Sequence, residues 1–140
     1  MENNFFISSD KSLLNIYAIK HFIADEYWSD GRTVEDVEKT ILNSYCFGMY
    51  TLENEQVGFA RVVTDYIYFG YFMDFIIFTK FQGKGYGKKL VAHMLKDDVI
   101  KSLKTVALKT KDAHSFYQRF GFKKIGDSPI WMSIDKQNLR

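Results

Sequence analysis

The stretch Gln82-Gly83-Lys84-Gly85-Tyr86-Gly87 decides how this sequence folds. It follows the apolar run Tyr71–Phe78, whose aromatic and β-branched residues predict a buried central strand. It precedes a segment in which apolar residues recur at helical spacing as far as Leu103. A glycine-rich turn between a buried strand and a helix offers free backbone N–H groups and the positive helix end to an anion. The stretch therefore predicts a phosphate-binding loop.

Two common phosphate-binding patterns do not match this loop. The dinucleotide fingerprint GxGxxG would need its third glycine at Lys88 or Leu90. The P-loop pattern GxxxxGK[ST] lacks its first glycine and its final Ser or Thr. What remains is the spacing Gln-x-x-Gly-x-Gly at Gln82, Gly85 and Gly87, for which a plain tight turn is the alternative interpretation.

The order of the elements predicts an α/β fold with one mixed sheet flanked by helices. The early strands are joined by short turns and should be antiparallel. The helix after the glycine loop makes a crossover, so the strand Thr105–Leu108 should run parallel to Tyr71–Phe78. Strands are predicted at 5–8, 45–51, 57–64, 71–78 and 105–108, with one or two more at 123–125 and 130–134. Helices are predicted after Ser9-Asp10, after a Thr33 cap, from the loop to Leu103, and from an Asp112 cap to Phe120.

Composition places the chain among small globular proteins. Its 140 residues are 46% hydrophobic and 26% charged, which predicts one domain over residues 1–140 with its own core. A net charge of +2 predicts no nucleic-acid partner, and the apolar runs are too short to cross a membrane. The single cysteine, Cys46, indicates a cytoplasmic location, and the three histidines do not have metal-ligand spacing. We therefore expect no metal.

The glycine loop and a later stretch together resemble the GNAT family of N-acetyltransferases. The loop resembles the family's acetyl-CoA pyrophosphate loop, Gln/Arg-x-x-Gly-x-Gly/Ala. The stretch from Ala113 to Phe122 resembles the later family signature A-x-x-F/L-Y-x-x-x-G-F. The resemblance covers nearly the whole chain and implies a GNAT-like fold with acetyl-CoA as co-substrate.

The implied activity is direct transfer of an acetyl group to a primary amine, with a small molecule as the expected acceptor. A catalytically idle acyl-CoA-binding sensor or scaffold of the same fold is the alternative. Dimers are common in the family, so a homodimer is a further expectation.

The resemblance also implies which residues bind acetyl-CoA. The pyrophosphate would lie on the loop, and the strand before it would offer backbone N–H groups to the pantetheine arm and the thioester carbonyl. Thr110 stands where the family often has Asn and would keep one hydrogen bond to the cofactor. The implied binding residues are Ile76, Ile77, Phe78, Gln82, Gly83, Lys84, Gly85, Tyr86, Gly87, Lys88 and Thr110.

Two residues are candidates for proton transfer. Tyr117 matches the family tyrosine that can reprotonate the departing thiolate, and packing between helix and sheet is its alternative role. Asp74 is the only charge in the strand Tyr71–Phe78 and could serve as the base. A structural ion pair with Arg61 is the alternative for Asp74, because buried charges are usually paired.

The family places the acceptor between the first two helices and the turn before the central strand. Tyr27, Trp28, Arg32 and Phe69 occupy those regions and predict an aromatic pocket with one guanidinium. Arg32 could clamp a carboxylate of the acceptor. The alternative is that these rings are exposed by chance or bury a dimer contact.

Overall fold

A computed structural model describes residues 4–24 and 31–136 of the chain. The chain forms two compact units, Met1–Leu108 and Lys109–Arg140. The first unit contains β1 Phe5–Ser8, a 3-10 turn Lys11–Leu13, α1 Ile16–Ala24, α2 Val34–Leu42, β2 Tyr45–Thr51, β3 Gln56–Thr64, β4 Phe69–Ile77, a 3-10 turn Thr79–Phe81, α3 Tyr86–Lys96, α4 Asp98–Ser102 and β5 Thr105–Leu108. The second unit contains α5 His114–Gln118. The single domain over residues 1–140 stays a prediction.

One five-stranded mixed sheet forms the frame of the first unit. Its order is β1-β2-β3-β4-β5, with antiparallel pairs from β1 to β4 and a parallel pair β4–β5. The predicted fold class is therefore confirmed. The parallel pairing runs only from Phe69 opposite Thr105 to Phe72 opposite Leu108. β5 ends at Leu108, whereas β4 continues beyond Phe72 to Ile77, toward the glycine loop.

A β-bulge lies in β4 just beyond Phe72, where the pairing with β5 ends. Phe59 pairs with Ile76 but Arg61 pairs with Met73, so β4 has one more residue than β3 between these pairs. Asp74 is one of the two residues in the bulge and has a φ of +51°, in the left-handed region. The bulge therefore changes the direction of the β4 backbone just before the loop.

The helices α1, α2 and α3 pack on the sheet through their apolar faces. α1 and α2 bury Ile19, Ile23, Val37 and Ile41 in one cluster with sheet residues Cys46, Phe59 and Ile76. α2 begins at the predicted cap, since Thr33 Oγ1 accepts the Asp36 N–H and the Asp36 carboxylate accepts the Thr33 N–H. α3 buries Leu90, Val91 and Met94. No helix in the described ranges is both long and apolar enough to cross a bilayer.

The prediction of one unbroken helix from the loop to Leu103 is wrong. α3 ends at Lys96, and the Asp97 carboxylate accepts the N–H groups of Val99 and Ile100 to begin α4. It also accepts the Tyr45 hydroxyl at 2.6 Å. An aspartate in this position stabilises a new helix start better than it stabilises a helix interior.

Two predictions for the second unit are also wrong. Residues 119–136 contain no strand, and the Ser128 hydroxyl oxygen accepts the N–H groups of Ile130 and Trp131 in a local turn that competes with strand pairing. The N-cap of α5 is Ala113 rather than Asp112. Thr110 Oγ1 accepts the Ala113 N–H at 3.1 Å and forms the turn that precedes the helix.

Candidate functional site

The glycine loop has the backbone shape of an anion-binding turn. Gly83 and Gly85 have φ values of +76° and +85°, which L-residues with a side chain rarely adopt. A Cβ on either glycine would meet nothing within 4 Å, so the space beside both residues is open. Gly85 is the N-cap of α3 and has no side chain to cap the helix.

Six consecutive backbone N–H groups of the loop and the start of α3 are available to a ligand. In the described part of the chain, the N–H groups of residues 83–88 donate to no protein acceptor. The first backbone hydrogen bond of α3 runs from Lys89 N–H to the Gly85 carbonyl at 3.3 Å. Backbone donors at the positive end of a helix macrodipole are the arrangement that proteins use to bind phosphate groups.

Gln82 holds the loop to the end of β4 instead of offering its backbone to a ligand. Its N–H donates to the Thr79 carbonyl at 3.2 Å, and its side-chain Nε2 donates to the Ile77 carbonyl at 2.9 Å. The backbone donors among the expected loop residues are therefore those of residues 83–88.

The three predicted donors on the strand before the loop are not equivalent. The Phe78 N–H donates to the Val57 carbonyl of β3 at 2.9 Å, so the expected contact with the cofactor is wrong for Phe78. The direction of the backbone N–H alternates along a strand, so the Ile76 N–H faces β3 as the Phe78 N–H does. Only Ile77 directs its N–H to the side where β4 has left β5. The bonding pattern of β3 explains this difference, and the sequence could not show it.

Asp74 is held by two arginines. Arg32 donates from both Nη atoms to the two carboxylate oxygens at 2.6 Å each, and Arg61 Nε donates to Oδ2 at 2.6 Å. Arg61 also donates from Nη1 to the Ser44 hydroxyl oxygen at 3.2 Å. The Asp74 side chain is only 2% exposed. Burial alone would raise the pKa of Asp74, but the hydrogen bonds and charges of Arg32 and Arg61 hold that pKa below its usual value.

This geometry favours a structural ion pair as the role of Asp74 over the role of catalytic base. A carboxylate with a low pKa and both oxygens engaged is a poor proton acceptor. Arg32 was expected to clamp an acceptor carboxylate, and its guanidinium binds the Asp74 carboxylate instead. The sequence pointed to both residues but not to their contact, because 42 positions separate them along the chain.

Tyr117 and Thr110 lie in the second unit. The Tyr117 ring packs edge-on against Phe116 and Phe122, with centroids 5.0 and 5.8 Å away. Burial raises the pKa of Tyr117 to about 12, so its hydroxyl stays protonated at neutral pH. Thr110 uses its hydroxyl oxygen to hold the turn before α5. The predicted roles of both residues toward acetyl-CoA stay predictions.

The expected acceptor residues are only partly described. Tyr27 and Trp28 lie outside the described residues. Phe69 is the first residue of β4 and is 38% exposed, at the end of the strand away from the glycine loop. Within the described ranges, no cluster of three or more histidine, cysteine or acidic side chains could hold a metal ion.

Comparison with known proteins identifies the family. The model of the acetyltransferase (GNAT) domain matches residues 43–124. The chain belongs to the GNAT acetyltransferase family. A curated relative from Gibberella zeae, classed as an acetyltransferase, is 27% identical over 86% of this chain and 80% of its own.

Solved structures of GNAT proteins have the same fold. A Xanthomonas campestris protein classed in the GNAT family is 31% identical over 96% of both chains, with a TM-score of 0.85. An acetyltransferase from Clostridium acetobutylicum, solved with acetyl-CoA, has a TM-score of 0.65 at 12% identity. It covers 94% of this chain and 95% of its own, and at that identity the likeness concerns the fold alone.

Proposed function

We propose that this GNAT protein binds acetyl-CoA and transfers its acetyl group directly to a primary amine of a small molecule. The observation that carries the proposal is a row of six backbone N–H groups, those of residues 83–88, which have no protein acceptor in the described part of the chain and follow the part of β4 that extends beyond β5. A diphosphate needs many donors in a small space, and this row supplies them without any side chain.

The residues around the loop suit the rest of the co-substrate. Lys84 and Lys88 are exposed beside the row of donors and add positive charge near a diphosphate. The Ile77 N–H faces the open side of β4, where it would bind a carbonyl of the pantetheine arm or the thioester. Removal of one such donor from an acyl-transfer site costs about 3 kcal/mol of transition-state stabilisation.

The proposed proton transfers use Tyr117 and water. Tyr117, with a pKa of about 12, carries a proton at neutral pH and can give it to the departing thiolate. General acid catalysis of this kind contributes about 10²–10⁴-fold in rate. The acceptor amine, with an ordinary pKa of about 10, must lose a proton before attack, and we assign that proton to water because Asp74 is engaged by two arginines.

The small-molecule acceptor is inferred from the sequence of the loops. No loop carries more than two consecutive acidic residues, so none indicates an acidic groove for a basic peptide. A panel containing polyamines, amino acids and a lysine peptide tests this choice directly. Acetylation of the peptide alone would contradict it.

Calorimetric titration with acetyl-CoA and a CoA-release assay over this amine panel test the activity. We expect binding of acetyl-CoA and release of CoA that depends on an amine. Tyr117→Phe should retain the affinity for CoA and lose about tenfold or more in turnover. Binding without release from any amine would instead favour the acyl-CoA sensor, and no binding would contradict the proposed function itself.

A further inference from the structure

Lys89 is a half-buried cation held between two aromatic rings. It lies in the first turns of α3, and its ammonium nitrogen is 5.4 Å from the centroid of the Phe5 ring and 5.9 Å from that of Tyr86. The two rings meet edge to face with centroids 6.0 Å apart. Phe5 belongs to β1, so contact with the edge strand of the sheet fixes the direction of this side chain.

The ammonium of Lys89 has no acidic partner in the described ranges of the chain. The ion pairs there are Arg32–Asp74, Arg61–Asp74, Lys80–Glu55 and Lys109–Asp135. Lys80 makes a useful comparison, because it also lies 5.4 Å from a ring centroid, that of Phe81, but is bound to Glu55. Aromatic rings attract an ammonium without accepting its three N–H groups as an anion does. Lys89 is therefore prepared for an anionic ligand.

The position of Lys89 distinguishes it from the donors of the loop. Residues 83–88 offer their backbone N–H groups, whereas the Lys89 N–H is already bonded to the Gly85 carbonyl. Its side chain packs toward β1, on the flank of the helix, because Phe5 holds it there. A diphosphate on the loop would leave this cation for a further anionic group of the same ligand.

Coenzyme A carries such a group, the phosphate on the 3′-oxygen of its ribose. We propose that Lys89, held by Phe5 and Tyr86, binds the 3′-phosphate of coenzyme A. This inference rests on the proposed function, because it assumes that the loop binds the diphosphate of the same molecule. It adds a nucleotide-end subsite that the N–H groups of the loop do not supply.

A comparison of CoA with 3′-dephospho-CoA tests the subsite by calorimetry. Lys89→Met removes the charge but keeps an unbranched apolar stem between the rings. We expect this variant to raise the Kd for CoA about tenfold or more and to leave the Kd for 3′-dephospho-CoA within about twofold. Phe5→Leu should give a smaller loss, again for CoA only, because it removes one of the two rings that fix Lys89.

Lys88→Met is the matched control, since it removes the same charge from the neighbouring exposed residue. This variant should raise the Kd for CoA and the Kd for 3′-dephospho-CoA by the same factor. An equal increase of both Kd values in Lys89→Met would overturn the inference and place Lys89 at the diphosphate. No change with either ligand would overturn it as well. Wild-type protein that binds neither ligand would show a different failure, that of the proposed function.

Discussion

At the scale of the residue, Asp74 shows how contacts decide the role of a carboxylate. It is buried, has a left-handed φ and accepts three hydrogen bonds from two guanidinium groups. Arg61 in turn donates to the Ser44 hydroxyl, which donates to the Thr40 carbonyl at 2.6 Å in α2. The bulge of β4 is thereby linked to β3 and to α2. We infer that Asp74 stabilises the bulge rather than accepting a proton from the substrate.

Asp74→Asn tests this role because asparagine keeps the shape and tolerates a left-handed φ. The change leaves Arg61 buried without a counter-charge, so we expect the free energy of unfolding to fall by about 3–5 kcal/mol. Urea denaturation at neutral pH measures the loss. Per folded molecule, the dependence of turnover on pH should match that of the wild type. Loss of the ascending limb of that profile in a folded variant would contradict the structural role and restore Asp74 as the base.

The same ion pair predicts how stability depends on pH. The pKa of Asp74 is lowered in the folded protein, so its contribution is present above the unfolded pKa of about 4 and is lost as pH falls through the folded value. The stability difference between wild type and Asp74→Asn should therefore be largest near neutral pH and shrink in acid. Denaturation of both proteins across an acid series measures it. A constant difference across that series would show that the carboxylate charge does not matter.

The sequence could identify Asp74 but could not choose between its two roles. A lone charge in an apolar strand indicates that something must compensate it, and Arg61 was a candidate partner. Arg32 could not be recognised as the second partner, because its contact depends on how the chain segment before α2 meets β4. Tertiary contacts of this kind leave no periodic pattern in a sequence.

At the scale of the element, the strand–loop–helix unit of β4 and α3 was predictable because local rules decide it. Glycine spacing, a buried strand and an amphipathic helix each restrict the backbone independently. The strands Phe5–Ser8, Tyr45–Thr51 and Thr105–Leu108 were predicted with their observed bounds. The break at Asp97 was missed because an apolar helical pattern continues through it, and only the capping contacts reveal it.

Gly85→Ala tests whether the loop binds CoA through its backbone N–H groups. Alanine at a φ of +85° is strained by about 1–2 kcal/mol, and relief of that strain would move the N–H groups of the row. We expect the affinity for CoA to fall about tenfold, with a loss of stability of about 1 kcal/mol. Calorimetry and urea denaturation measure the two effects.

Gly126→Ala is the control for this substitution. Gly126 does not have a left-handed φ, and a Cβ there would meet nothing within 4 Å, so neither affinity nor stability should change. An unchanged CoA affinity in Gly85→Ala would mean that the loop does not bind the diphosphate through its backbone.

At the scale of the whole molecule, the chain has no reactive cysteine that could form an acetyl-enzyme intermediate. Cys46 is its only cysteine, and it lies buried beneath α2 with its Sγ near the Ile41 carbonyl. Burial raises the pKa of Cys46 to about 11, which keeps it as a thiol at neutral pH. The thiolate is the reactive form, so this residue cannot receive the acetyl group efficiently. We therefore expect the acetyl group to pass directly from the thioester to the amine in one ternary complex.

Intact mass spectrometry tests direct transfer. Protein incubated with acetyl-CoA alone should keep its unmodified mass, while addition of an accepted amine should release CoA and form the acetylated amine. Cys46→Ala should sustain the same turnover per folded molecule, although the lost core volume lowers stability. An acetyl adduct that forms before the amine is added, disappears when it arrives and is absent from Cys46→Ala would instead establish a relay through the thiol. The buried position of Cys46 argues for the first result, because an acetyl group on Sγ would have to fit inside a packed core.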